Sequence, residues 1–497
     1  MRLLKGLEVH DRPASGAKKG QMFIDGKWDE GTGKEWLRVV SPSTGEDIAW
    51  LPLGSRADAV RAIASAKANA WKLASMSVWQ RAALCQSIAA EIDGRAEDIA
   101  QLLCLEQGKP IGEARGEVAG AATAFRNAGE QIKWLESASF PVEDPHKRAI
   151  SILQPKGVFG VITPWNFPIS LPSIYYIGPG IATGNAMVWT PAPTTSLCAA
   201  LLVECMIAAG VPEGTLHLVT GEGPVVGDVL VTSPDTHGIA FTGSSETGKV
   251  IAARSIGKAQ LLELGGNGPT IVLDDADLDR AARCIVKGAL ANAGQICTAT
   301  ERVLVDARVH DALVERVLAE VSNVQPMPST DPASKLGALN NEENAAKVDA
   351  HLAEAVRLGA RVVAGGGRAA GMPTNLYYEP TVIVDVPADC ALHCDETFGP
   401  IIPILRFGSD DELYALAAKS PMGLSAALFT RDVGRAFRHA ERIRCGIVNV
   451  NDASNYWETH IPAGGAAGTA SGTGRTGGRH TLAEMSDLKT ITFHVGE

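Results

Sequence analysis

The chain has 497 residues, 45% hydrophobic and 20% charged, enough for roughly three ordinary globular units or two large ones, and it is no disordered scaffold. Lys and Arg number 45 against 56 Asp and Glu, a net charge of −11, which excludes nucleic acid as the main partner because phosphate contacts need a basic stripe. Aromatic residues make up 5%, too few for base-stacking platforms along the chain.

The first residues, Met1–Gly6, hold no apolar run of the length a secretory signal requires. Residues 57–135 are rich in Ala, Leu, Glu, Arg and Lys, and they read as several amphipathic helices. Past Phe140 the texture changes to Pro141, Asp144-Pro145 and His146-Lys147-Arg148. The alternating segment Ala149–Leu153 that follows reads as an extended arm or edge strand leaving a domain. From Gly157 to Val203 there is no Asp, Glu, Lys or Arg, but Pro164, Pro168, Pro172, Pro179, Pro191 and Pro193 interrupt the run. No stretch of about 20 apolar residues survives for a membrane span, so the run reads as a buried core crossing. Strands are expected at Gly157–Ile162, Asn185–Trp189, Leu216–Thr220 and Gly238–Phe241, alternating with helices at Ser196–Ala209, Val225–Val231 and Ser245–Ser255. Such alternation predicts a parallel, helix-covered sheet of the nucleotide-binding kind. A second series follows Gly265-Gly266, with strands at Thr270–Leu273 and Arg302–Val305, helices at Asp277–Leu290 and His310–Val321, and a strand–helix–strand unit at Ser425–Thr430, Val433–Arg442 and Ile447–Val450. The fold class is therefore α/β, two layers with a hinge near Leu262–Gly266. Gly464–Gly478, dense in Gly, Ala, Ser and Thr, reads either as a surface loop or as a tight structured crossing.

The nine cysteines are scattered, with no CxxC pair. That speaks against zinc, or any metal, and against thioredoxin-type redox chemistry. It fits a reducing, cytoplasmic compartment in which one thiol is a nucleophile and the rest fill cores. Cys297 stands out in Gly294-Gln295-Ile296-Cys297-Thr298, between a helix that has ended and a strand that has not begun. Small polar neighbours there suit a reactive thiol, whereas Cys284 lies on a helix stripe and reads as packing. Glu263 ends an apolar strand, either as one half of a structural pair or as a base with a raised pKa. Trp165-Asn166-Phe167 between Pro164 and Pro168 is a rigid elbow carrying one amide, or a packed turn with that amide satisfied. Gly243–Lys249 follows a strand and opens a helix, where backbone N–H groups and the helix dipole hold anions. It nearly matches a Walker A loop, but Val250 has no hydroxyl for Mg²⁺. Dinucleotide pyrophosphate and an ordinary Gly-rich turn both stay open. Gly221-Glu222-Gly223 with Gly227 forms a second glycine cluster.

In one order the chain carries Pro164-Trp165-Asn166-Phe167-Pro168, Gly243-Ser244 with Gly248, Glu263-Leu264-Gly265-Gly266, Gly294-Gln295-Ile296-Cys297, Glu396-Thr397-Phe398-Gly399-Pro400, and Pro462 with Gly464-Gly465, Ser471-Gly472 and Gly474-Arg475. With the Glu263–Cys297 spacing, this resembles the NAD(P)-dependent aldehyde dehydrogenase superfamily, in its hydrolytic, non-CoA-acylating form, from about Gln21 to the C-terminus. The resemblance implies a Rossmann-like dinucleotide-binding domain (1–130 and 155–262), a second α/β catalytic domain (263–460), and a small β oligomerisation arm (131–154 and 480–497). Cys297 would attack the aldehyde carbon, Asn166 and the Cys297 N–H would hold the oxyanion, and Glu263 would activate the hydrolytic water. Thr163, Pro164, Trp165, Thr190, Gly223, Gly243, Ser244, Leu264, Gly265, Glu396 and Phe398 would meet the dinucleotide, with Glu396 at the nicotinamide ribose and Gly243 and Ser244 at the pyrophosphate.

Several positions depart from the family pattern. Thr190-Pro191-Ala192-Pro193 stands where the family has Lys-Pro-Ser-Glu at the adenosine ribose. Losing the glutamate removes a repulsion against a 2′-phosphate and losing the lysine removes that phosphate's partner, so the expectation is NAD, with NADP open. Tyr175 or Tyr176 replaces the lysine that follows the elbow, in a segment one residue longer than usual. Asn267-Gly268 follows the Gly-Gly pair, and Ala463 stands for the family's Phe, which enlarges the pocket mouth. Phe167, Tyr175, Ile296, Thr298, Trp457 and Ala463 would line the substrate pocket. The loop Asn451–Ile461 carries no Arg or Lys, so the expected substrate is a neutral apolar, aromatic or hydroxylated aldehyde rather than one with a second carboxylate. Phe140–Leu153 and Leu488–Val495 would pair across subunits in a homodimer or homotetramer. The other classes weighed are a cysteine-dependent acyl hydrolase, which needs no dinucleotide, and a non-catalytic homologue.

Overall fold

The structure, a computed structural model, describes residues 2–4 and 6–496. Five parallel strands, Val158–Thr163, Ala186–Pro191, Leu216–Leu218, Gly238–Thr242 and Ala259–Glu263, form the centre of an eight-stranded sheet. Their spatial order places Val158–Thr163 between Ala186–Pro191 on one side and Gly238–Thr242 on the other. The order therefore reverses at that strand, and a crevice opens beyond the carboxyl ends of Val158–Thr163 and Gly238–Thr242, where doubly wound sheets bind ligands. The strands are buried on both faces, as a helix-covered parallel sheet requires. The hairpin Met22–Ile24 and Lys27–Asp29 closes one edge, and Gly472–Thr473 pairs antiparallel with Leu262 and Glu263 at the other.

The helical segment resolves into Arg56–Asn69, Trp71–Ala74, Val78–Gly94, Ala96–Gln107 and Ile111–Gln131. Ser55 and Ser77 start two of these helices with capping boxes, and Ile111, Ala114, Val118, Ala121 and Phe125 supply the buried stripe of the last.

A second sheet of seven strands has Pro269–Val272 and Arg302–Asp306 at its centre, flanked by Ile401–Phe407 and Thr381–Val384 on one side and by Ser425–Phe429 and Ile447–Val450 on the other. Leu264–Gly268 joins the C-terminal end of the last parallel strand of the first sheet to the N-terminal end of Pro269–Val272, so the crevice and the second sheet face each other across five residues. The arm is a three-stranded sheet in which Lys147–Pro155 pairs with Ser486–His494 over its whole length, with Ser139–Phe140 beyond. An antiparallel sheet of Arg2–Leu4, Leu7–His10, Glu35–Val40 and Asp47–Leu53 packs at the N-terminal side. Gly464–Gly478 is a structured crossing, since its bridges to Glu263 and Ala463 settle the earlier alternatives. Among the described residues no helix is long and apolar enough to cross a membrane.

Candidate active site

The carboxyl end of Val158–Thr163 runs into the elbow Pro164–Pro168, and Gly238–Thr242 runs into Gly243-Ser244. Ser244 caps the helix Ser245–Arg254 by accepting from the Thr247 N–H. These two ends line a cleft of about 520 Å³, together with Leu264, Gly265, Glu396, Phe398 and Cys297. Behind it lies a smaller pocket of about 180 Å³, lined by Phe167, Tyr175, Glu263, Ile296, Thr298, Trp457 and Ala463 among others. Asn166, Thr242 and Cys297 line both cavities, so the thiol stands where the two meet. Nine of the eleven expected dinucleotide contacts line the larger cleft and all six expected pocket residues line the smaller one. The other two do not line the cleft: Thr190 is buried in its strand with Oγ1 unpartnered among the described residues, and Gly223 is exposed at the start of a π-helical turn, Gly223–Gly227.

Cys297 is half-buried in the loop after the helix Leu278–Leu290. Burial first, then the Glu396 and Glu263 carboxylates, push its thiol up to about 12, partly offset by the N–H groups of Cys297 and Thr298. Two residues before the loop, Asn292 and Ala293, are left-handed at φ 48° and 53°, a conformation that costs non-glycine residues about 1–3 kcal/mol each. Glu113 holds the first of them by accepting from the Asn292 N–H at 2.9 Å. Asn166, 5% exposed, donates from Nδ2 to the Gln295 carbonyl at 3.0 Å, which ties the elbow to the Cys297 loop. Lys109 Nζ donates to the Asn166 carbonyl at 2.9 Å and lies 4.0 Å from the Phe167 ring centre.

Glu263, 5% exposed, is pushed up to about 8 by burial, partly offset by a hydrogen bond from Thr476 and by Arg475. A carboxyl so poised takes up and releases protons near neutral pH, as a general base must. Glu396 accepts from the Gly266 N–H at 2.8 Å, and burial raises its pKa. The Gly265-Gly266 pair permits this crowding: a Cβ on Gly265 would sit 2.8 Å from Glu396 Oε2, and one on Gly266 would sit 1.9 Å from the Cys297 carbonyl oxygen. Glu301 accepts from the Thr397 and Phe398 N–H groups at 3.0 and 2.9 Å, fixing Phe398 at φ 61° with its ring edge-on to Trp165 at 5.5 Å.

The lengthened segment after the elbow takes the form of a π-helical turn, Ser173–Ile177. A residue inserted into a helix widens one turn in this way, and here it brings two tyrosines toward the site. Tyr175 lines the small pocket, while Tyr176 is fully buried and bonds Thr242 Oγ1 at 2.6 Å and the Phe241 carbonyl at 2.9 Å. Sequence reasoning missed Lys109, Glu113, Glu117, Asn292, Thr476 and the cleft residues Asn341, Asn344 and Lys347. A readable signal existed for Glu117, a charge falling on the apolar stripe of its helix.

The family model described as the aldehyde dehydrogenase family matches residues 28–491. The chain is 36% identical to the glutarate-semialdehyde dehydrogenase of Pseudomonas aeruginosa over 95% of its length and 97% of that protein's. It is 36% identical to the NADP⁺ succinate-semialdehyde dehydrogenase of Escherichia coli, over 94% and 96% respectively. The solved NAD-dependent aldehyde dehydrogenase of Sinorhizobium meliloti superposes with a TM-score of 0.93 at 35% identity, over 97% of this chain and 96% of that one. The chain belongs to the aldehyde dehydrogenase family, and with it to the NAD(P)-dependent oxidoreductases.

Proposed function

We propose that the protein oxidises a neutral, apolar, aromatic or hydroxylated aldehyde to its carboxylic acid through a cysteine-bound thioester, with NAD as the expected dinucleotide. The observation that carries this reading is Cys297 at the junction of two cavities, with Glu396 lining the larger and Glu263 the smaller. The larger cleft fits a dinucleotide, since it lies at the reversal of strand order and includes a capped helix N-terminus for the pyrophosphate. When bound, the dinucleotide accepts a hydride from the former aldehyde carbon.

The remaining work falls to the chain's own side chains. The Cys297 sulfur, as thiolate, bonds the aldehyde carbon. The Asn166 amide and the Cys297 N–H take the oxyanion, and losing one such donor costs about 10²–10³ in rate. Glu263 as carboxylate then takes a proton from water as its oxygen bonds the thioester carbon, and sulfur leaves as thiolate. The unit built on the eight-stranded sheet would hold the dinucleotide, the seven-stranded unit the nucleophile, and the arm would pair subunits.

Several curated relatives are named for glutarate or succinate semialdehyde, whose carboxylate calls for a cation. Among the described residues lining the small pocket there is no Arg, Lys or His, and that favours an uncharged substrate. The test is reduced-nicotinamide formation over a panel of aliphatic, hydroxylated, aromatic and carboxylate-bearing aldehydes with NAD and with NADP, with Cys297→Ala as the blank. Succinate semialdehyde emerging with the highest kcat/KM would overturn the substrate reading and leave the class of reaction standing.

A further inference from the structure

Among the described residues no cation pairs with the Glu263 carboxylate; the crossing Gly464–Gly478 holds it. Ala463 and Thr476 exchange N–H to carbonyl bonds of 2.8 and 2.9 Å, and Gly472–Thr473 lies against Leu262 and Glu263. The result is that Thr476, fully buried, donates from Oγ1 to Glu263 Oε1 at 3.1 Å. The Tyr175 hydroxyl is a neighbour of the same Thr476 side chain. A threonine hydroxyl carries one proton, and Thr476 gives it to the carboxylate, the nearer of its two acceptors, since the Ala463 carbonyl lies 3.5 Å away. Arg475, beside them, spends Nη1 on the Gly465 and Gly474 carbonyls at 2.7 and 2.9 Å. The other titratable groups facing Glu263 are Cys297 of the nucleophile loop and Tyr176 of the π turn.

We propose that Thr476 is a positioning residue for thioester hydrolysis: through one neutral hydrogen bond it aims the Glu263 carboxylate at the hydrolytic water. This rests on the reading of Glu263 as the base. A hydrogen bond to the ionised carboxylate also favours that form, opposing the burial that raises Glu263. Removing the donor therefore moves the pH at which the base becomes active upward.

The test compares wild type, Thr476→Val and Thr476→Ser in two assays. One is the burst and steady-state phases of reduced-nicotinamide formation with an aldehyde. The other is hydrolysis of p-nitrophenyl acetate without dinucleotide. Thr476→Val is expected to keep the burst, to slow steady-state hydrolysis about tenfold at pH 7.5, and to shift the acidic limb of the pH profile up by about half to one unit. Thr476→Ser is expected to restore both. If Thr476→Val does not fold, Thr476→Ala carries the comparison with Thr476→Ser, and a Thr476→Ala profile superimposing on wild type counts against the proposal. A Thr476→Val profile superimposing on wild type overturns the proposal while a Cys297-dependent burst leaves the reaction itself intact. Absence of any Cys297-dependent reduced-nicotinamide formation in wild type overturns the reading of the reaction, and this proposal with it.

Discussion

Lys109 and Glu117 form an ion pair in which each side chain is 1% exposed, and both partners spend their remaining bonds on the same elbow. Lys109 donates to the Asn166 carbonyl, and Glu117 Oε1 accepts from the Ile169 and Ser170 N–H groups at 2.9 and 3.1 Å. The amide proposed for the oxyanion is thus anchored by a charge pair that is costly to keep dry and costlier to break.

Removing one partner should therefore be far worse than removing both. Lys109→Met leaves the Glu117 charge buried and is expected to lower unfolding free energy by about 3–5 kcal/mol, while Lys109→Met with Glu117→Leu recovers a large part of that loss. Urea unfolding of the three proteins measures it. The double variant should remain slow in kcat because the elbow has lost its anchor. A double variant less stable than the single would contradict the account.

The strand–helix units beyond Val158 were legible in the sequence because apolar strands, capping residues and glycine stops agree there; His310–Val321 and Val433–Arg442 come out at the residues expected. The motif residues were legible through their order, which no single motif supplies. The first two strands of the antiparallel N-terminal sheet were not, since Arg2–Leu4 and Leu7–His10 are too short for a period to show. Composition could not decide between loop and crossing at Gly464–Gly478, because small residues serve both; its bridge partners, Glu263 and Ala463, are set by tertiary packing. Lys109 was invisible because it lies in the short link between the helices Ala96–Gln107 and Ile111–Gln131, where a charge reads as solvated.

Burial, and after it the Glu396 and Glu263 carboxylates, oppose ionisation of the Cys297 thiol and push it up to about 12. Its thiolate fraction should then rise about tenfold per pH unit from pH 7 to 9 with no plateau. Carbamidomethylation of the Cys297-containing peptide by iodoacetamide, followed by mass spectrometry, should track that line. A plateau below pH 9 would mean that a cation or donor lowers the thiol in solution.

Burial pushes Glu113 up to about 7, above the ordinary carboxylate value. A carboxyl raised by folding adds stability that is fully present below its unfolded pKa and is lost as pH climbs through the folded one. Glu113 should therefore make the protein less stable from pH 5 to 7, by at most about 1.4 kcal/mol per pH unit. Glu113→Gln keeps an acceptor for the Asn292 N–H but cannot ionise, so its urea midpoint should vary less over that range. An unchanged slope would assign the pH dependence to other buried carboxyls, such as Glu106 or Glu301.

Trp457 donates its indole N–H to the Ile461 carbonyl at 2.9 Å and stands edge-on to Tyr175, ring centres 5.5 Å apart at 63°. The two rings make one wall of the small pocket. Contact with a substrate ring is worth on the order of 1 kcal/mol beyond the area it buries, so Trp457→Ala should raise KM for benzaldehyde about tenfold. Its effect on kcat should stay small, because the wall touches the substrate's tail and not the reacting carbon. Acetaldehyde reaches no wall and its KM should hold. Trp457→Phe, which keeps a ring but gives up the bond to Ile461, separates the two jobs of the residue. Recovery of the benzaldehyde KM in that variant assigns the effect to the ring face, and failure to recover assigns it to the shape of the loop that the indole N–H pins.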